Sequence, residues 1–186
     1  MLYLSKGIVK KKSTEHLLMI ERCGKEYSLS GEEAALWLKG RFAFSEPETE
    51  SEKHSLSRLK RMGLAETEEN TDVGKYRLLT QCICCPAVCS KPEMLLNHAE
   101  KEMLTWLRGA GLRLTVAELI SLKESRIKPE PRYLHAENRQ RLVETIYTMD
   151  TIGNNLLENL MENAECRDDM VRLIMGLLKK KKILIL

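Results

Sequence analysis

No run of this chain approaches the ~20 apolar residues that a helical membrane span needs, so the sequence argues against a membrane partner. Charge of one sign is lacking too: 30 Lys and Arg face 27 Asp and Glu, a formal net charge of +3. Bulk charge therefore does not mark a nucleic-acid binder, and any such contact has to come from a local basic face. The patterns GxGxxG, GxxxxGK[ST] and GxSxG are missing, as are HExxH and ExxH pairs. The four histidines, His16, His54, His98 and His135, are scattered, and the expectation is a protein that is not an enzyme. The first residues, MLYLSKGIVKKK, place charge after a short apolar start, the reverse of a secretory signal. A cytoplasmic location follows as the expectation, where thiols stay reduced and six cysteines do not imply a disulfide framework.

What is present is the composition of a globular protein, 43% hydrophobic and 31% charged. A length of 186 residues allows one substantial core or two small ones. The string CICCPAVC, with Cys82, Cys84, Cys85 and Cys89, stands at a seam between unlike halves and favours two. Residues 2–29 alternate as strands, with Lys10-Lys11-Lys12-Ser13 and Cys23-Gly24-Lys25 as turns. Ser30 with Glu33 three residues later reads as a capping box. It opens a helix that turns Ala34, Ala35, Trp37 and Leu38 inward and stops at Gly40. A polar loop over 44–49 precedes a second helix from about Glu50 to Met62, carrying Leu56, Leu59 and Met62, with Gly63 as C-cap. A strand from Leu64, the acidic turn EENTDVG and a strand over 75–80 with Tyr76 and Leu78 on one face then describe a helix followed by a β-wing.

The string SLSRLKRMGLAETEENTDVGKYRLLT, about residues 55–80, resembles the winged-helix (helix-turn-helix) domain of bacterial transcription regulators. In those, LxxLxxxGL leads into a hairpin ending near Tyr-x-Leu-Thr. The strands ahead of the helices also resemble small winged-helix domains that bind peptides in peptide-modification pathways. The first resemblance implies DNA contact through the second helix. The other implies a protein- or peptide-binding adaptor.

The half beyond the cysteines is strongly helical. Leu96, Ala99, Met103 and Leu107 space a helix over 93–108. A short strand at 112–114, a helix capped by Thr115 and a Pro-containing loop at 128–131 follow. Further helices are predicted over 136–149, 151–163 and 167–179. The closing ILIL reads as a strand pairing with 112–114, so this half is open to a second winged-helix variant. The fold class is α+β: a winged-helix-like domain over 1–81, a cysteine-rich linker over 82–92 and a helix-rich domain over 93–186.

Two sets of residues could carry chemistry. Lys53, Ser57, Lys60 and Arg61 share one face of the second helix, with Arg58 and His54 at its margins. Lysine and arginine neutralise phosphate, and arginine reads guanine edges. The same pattern also fits a solvated amphipathic face. The wing beside it is acidic. In the cysteine string, Cys82, Cys85 and Cys89 have the spacing of zinc or iron ligands, yet a second knuckle is missing. The thiols equally suit packing as small apolar side chains, or redox sensing. Glu158, Glu162 and Glu165 share a helix face that reads as solvated. The function expected is a non-enzymatic DNA-binding regulator whose C-terminal domain forms a homodimer or binds a partner. A peptide-binding adaptor and a metal- or redox-responsive module stand beside it.

Overall fold

The computed structural model describes residues 1–11, 13–14, 16–87, 95–110, 114–115 and 164–186. The helices expected at 136–149 and 151–163, the helix after Thr115, the 128–131 loop, Glu158, Glu162 and Cys89 lie outside the described residues. The chain divides into two compact units, Met1–Cys82 with Leu184–Leu186, and Ile83–Ile183. The architecture mixes strands and helices, as an α+β chain does.

The first unit begins with β1 (Leu2–Ser5), β2 (Ile8–Val9), β3 (Leu18–Arg22) and β4 (Lys25–Leu29). Strands β2, β3 and β4 form an antiparallel meander. Cys23 and Gly24 both have positive φ (50° and 76°). This is the primed two-residue turn whose twist suits a tight hairpin. Val9, Leu18, Ile20, Tyr27 and Leu29 pack toward one core together with Tyr3, Leu36, Trp37, Leu56, Leu59 and Leu64.

Helix α1 (Gly31–Lys39) follows Ser30, but the Ser30 side chain makes no capping bond. The expected capping box is not formed, because Glu33 instead faces Arg58 of the next helix, 3.0 Å away. The buried face also differs from the expected one: Leu36 and Trp37 are buried, whereas Leu38 is half exposed and Ala35 exposed. Two hydrogen bonds fix this rotation, from Trp37 Nε1 to Lys6 O (3.1 Å) and from Tyr3 Oη to Leu36 O (3.0 Å).

Helix α2 (Glu50–Arg61) starts at Thr49, whose hydroxyl accepts from Glu52 N (3.1 Å). It ends in a Schellman motif: Gly63 N donates to Lys60 O (2.9 Å) and Leu64 N to Leu59 O (2.8 Å). Gly63 takes the left-handed position (φ 71°) that this ending requires.

The wing is not built as the sequence suggested. Strand β5 (Ala65–Glu68) pairs antiparallel with β1, Tyr3 opposite Thr67, and not with the segment that follows it. That segment is α3 (Asp72–Thr80), not a strand. Thr71 caps it by accepting from Gly74 N (2.9 Å). Tyr76 and Leu79 are three residues apart, and both are buried along with Leu78. The alternation of Tyr76 with Leu78 was compatible with a strand, but burying Leu79 as well demands helical geometry. Strand β5 therefore has β1 as its strand neighbour, and the segment after it is helical.

The second unit contains β6 (Ile83–Pro86), α4 (His98–Ala110), β7 (Leu114–Thr115) and α5 (Ala164–Lys179); β8 (Ile183–Ile185) starts at its last residue and runs on into the first unit. The strand order is β7-β6-β8. The closing strand exists as expected, but β6 lies between it and β7. Helix α4 buries Met103, Leu104 and Leu107, and α5 buries Met170, Ile174, Leu177 and Leu178. Lys180 Nζ donates to Glu100 Oε1 (2.8 Å) and to Leu95 O (3.0 Å), tying the end of α5 to the start of α4. No helix among the described residues is long and apolar enough to cross a membrane.

Candidate functional site

The five basic-face residues fall where the periodicity of α2 put them. Its buried side is Ser55, Leu56 and Leu59. Lys53, Ser57, Arg58, Lys60 and Arg61 are all exposed. Four of them are engaged inside the fold. Lys53 pairs with Glu50 (2.6 Å), and Ser57 Oγ donates to Lys53 O (2.8 Å). Lys60 Nζ donates to Thr67 Oγ1 (2.8 Å). Arg58 Nε approaches Glu33 Oε1 as an ion pair without hydrogen-bond alignment. Arg61 has no partner among the described residues. Exposed pairs of this kind are weak in water and can be exchanged for phosphate. The face is therefore not blocked, but neither is it a concentrated positive surface. Glu32 adds negative charge beside it. Its carboxyl is held below the usual range by the hydroxyl of Ser55, and secondarily by that of Ser51.

The cysteines separate by environment. The Cys82 thiol is fully buried and donates to Leu78 O (3.1 Å). Burial pushes it up to about 12; the charge of Lys6 and, less, that of Arg22 pull it down, and the Glu66 carboxylate adds to the rise. It is a protonated packing group at neutral pH, since the thiolate is the reactive and ligating form. Cys84 and Cys85, neighbours on β6, are also buried. Successive strand residues point to opposite faces, so these two do not converge on one point. Among the described residues no group of three His, Cys, Asp or Glu side chains could hold a metal. Cys89, the third residue of the expected ligand set, lies outside them.

One feature was not read from the sequence as a site. Strand β4 stands at the end of the β2-β3-β4 order. Arg22 and Lys25 flank the two-residue turn, so Lys25, Tyr27 and Leu29 turn their backbone groups toward β3. The N–H and C=O of Glu26 and Ser28 point the other way. Neither residue makes a backbone hydrogen bond beyond the hairpin among the described residues. Both side chains are exposed. The signal available beforehand was the Cys-Gly turn, which fixes the register and thereby which amides face outward. Comparison with known protein families, curated proteins and solved structures returns no match.

Proposed function

We propose that the N-terminal unit is a non-enzymatic binding module that accepts an extended segment of a protein or peptide partner as a further strand along β4. The observation that carries this reading is the open β4 edge, with the outward amides and carbonyls of Glu26 and Ser28 on a five-residue strand. Such an edge supplies main-chain hydrogen bonds to a partner, and the side chains on either face supply selectivity. The edge is short and charged, with Lys25 and Glu26 on it, which suits discriminating pairing better than indiscriminate aggregation. The test is a Ser28→Pro variant. Proline removes one outward N–H without touching the bonds to β3. The variant should keep the far-ultraviolet circular dichroism of the parent and lose saturable binding to a peptide selected from a random displayed library. Equal binding by both proteins would refute the edge as the site.

The regulator reading retains one support, the solvent-facing Lys53, Arg58, Lys60 and Arg61 on a helix that leads through Gly63 into a strand, as in winged-helix proteins. Its expected signature is weak affinity for mixed-sequence duplex DNA in fluorescence anisotropy that falls steeply with salt. Reversing Arg58 and Arg61 to Glu should flatten that salt dependence. Absence of binding by the parent at low salt would remove the reading.

A further inference from the structure

Arg41 is the residue after the C-cap of α1, and its backbone N donates to Leu38 O (3.4 Å). Its guanidinium carbon lies 5.2 Å from the Trp37 ring centroid and 4.7 Å from that of Phe42. The Trp37 ring is fully buried and pinned by its bond to Lys6 O. Two rings therefore fix the guanidinium at cation–π distance. The helix carboxyl end also favours a cation at this point.

What is missing is an acceptor. Among the described residues Arg41 forms no ion pair and no side-chain hydrogen bond, and its Nε is buried without a partner. Burial lowers its pKa from the ordinary arginine value, with no carboxylate acting in the other direction. Two other partly buried cations of the fold are neutralised, whereas Arg22 shares an enclosed Nε without a partner. Lys6 pairs with Glu66 (2.7 Å) and Lys180 with Glu100. A guanidinium held in place, partly stripped of water and left without an acceptor is arranged as a receptor. Nε is enclosed while the residue as a whole is only partly buried, which leaves the two Nη groups as the donors for a ligand. They form an end-on fork that matches two oxygens of one acid group.

We propose that Arg41, oriented by Trp37 and Phe42, is a binding site for an oxyanion, either a carboxylate or a phosphate, taken end-on by its two Nη groups. The site is independent of the β4 edge and stands whether or not that edge binds a peptide. An alternative role is that of an arginine whose stem merely covers Trp37 while its head stays in water. The two roles give different titrations.

The experiment follows the Arg41 Nε–H resonance and the backbone amides of the full chain by nuclear magnetic resonance. Sodium phosphate and, separately, sodium acetate replace chloride at constant ionic strength. The expected result is a saturating shift at Arg41 Nε–H and at the amides of residues 40–42, with the tighter anion identifying the chemistry. Arg41→Lys, which keeps the charge but loses the fork, should weaken the binding several-fold. Arg41→Met, which keeps an apolar stem on Trp37, should abolish the saturation at residues 40–42 while its remaining spectrum stays dispersed. If neither anion gives saturation, or if Arg41→Met saturates like the parent, the site does not exist. Should Arg41→Met fail to fold, the Arg41→Lys comparison decides alone: an affinity equal to the parent's overturns the fork.

Discussion

At the residue scale, the Cys82 thiol shows how burial decides chemistry. Its pKa of about 12 lies above the ordinary thiol value because the charged form would be stranded in the core. The folded state therefore holds this proton over a range where the unfolded chain releases it. Stability from Cys82 is complete below the unfolded value near 9 and declines as pH rises toward 12. Tyr3, also raised to about 12 chiefly by burial, acts in an overlapping window. Denaturant unfolding at pH 8 and pH 10.5 should show a loss of stability that is smaller in Cys82→Ala than in the parent. An identical loss in both would mean that the thiol is not held as described. Exposed Cys23 should alkylate rapidly in the native protein, with Cys82 reacting only on unfolding.

At the element scale, α3 rests on its cap. Thr71 supplies an acceptor for the otherwise unpaired Gly74 N–H. Thr71→Ala should destabilise the protein by about 1 kcal/mol in urea unfolding. A cost near zero would show that tertiary burial of Tyr76 and Leu79 alone sets this helix. The same element marks the limit of what the sequence displays. Helix α2, its Gly63 ending and the Cys23-Gly24 hairpin were legible because each rests on local chemistry: leucine spacing, a left-handed glycine, a two-residue turn. The state of 75–80 was not local. It depended on burying Tyr76, Leu78 and Leu79 together, a demand set by the surrounding fold and not by the alternation of the segment itself. The face of α1 likewise depended on Tyr3 and Lys6 reaching Leu36 and Trp37. The basic residues of α2 were placed correctly on a face, but their pairings with Glu33 and Thr67 come from other elements and left no trace in the α2 pattern.

At the scale of the whole molecule, the chain divides into two units, and its last residues, Leu184–Leu186, belong to the first, where Gly7 N donates to Ile185 O (2.9 Å). The first unit offers solvent two distinct surfaces, the α2 face and the β4 edge. Of the two, the edge presents backbone groups of exposed residues, Glu26 and Ser28, that no described residue satisfies, which is why binding along β4 is the central claim. Amide hydrogen exchange of the full chain, with and without a saturating library-selected peptide, tests it most directly. The account expects exchange at Glu26 and Ser28 to slow at least about tenfold in the complex, as it does when an edge amide gains a strand partner, with Lys25 and Tyr27 changing little. A saturating peptide that leaves Glu26 and Ser28 unchanged while protecting residues elsewhere would contradict it.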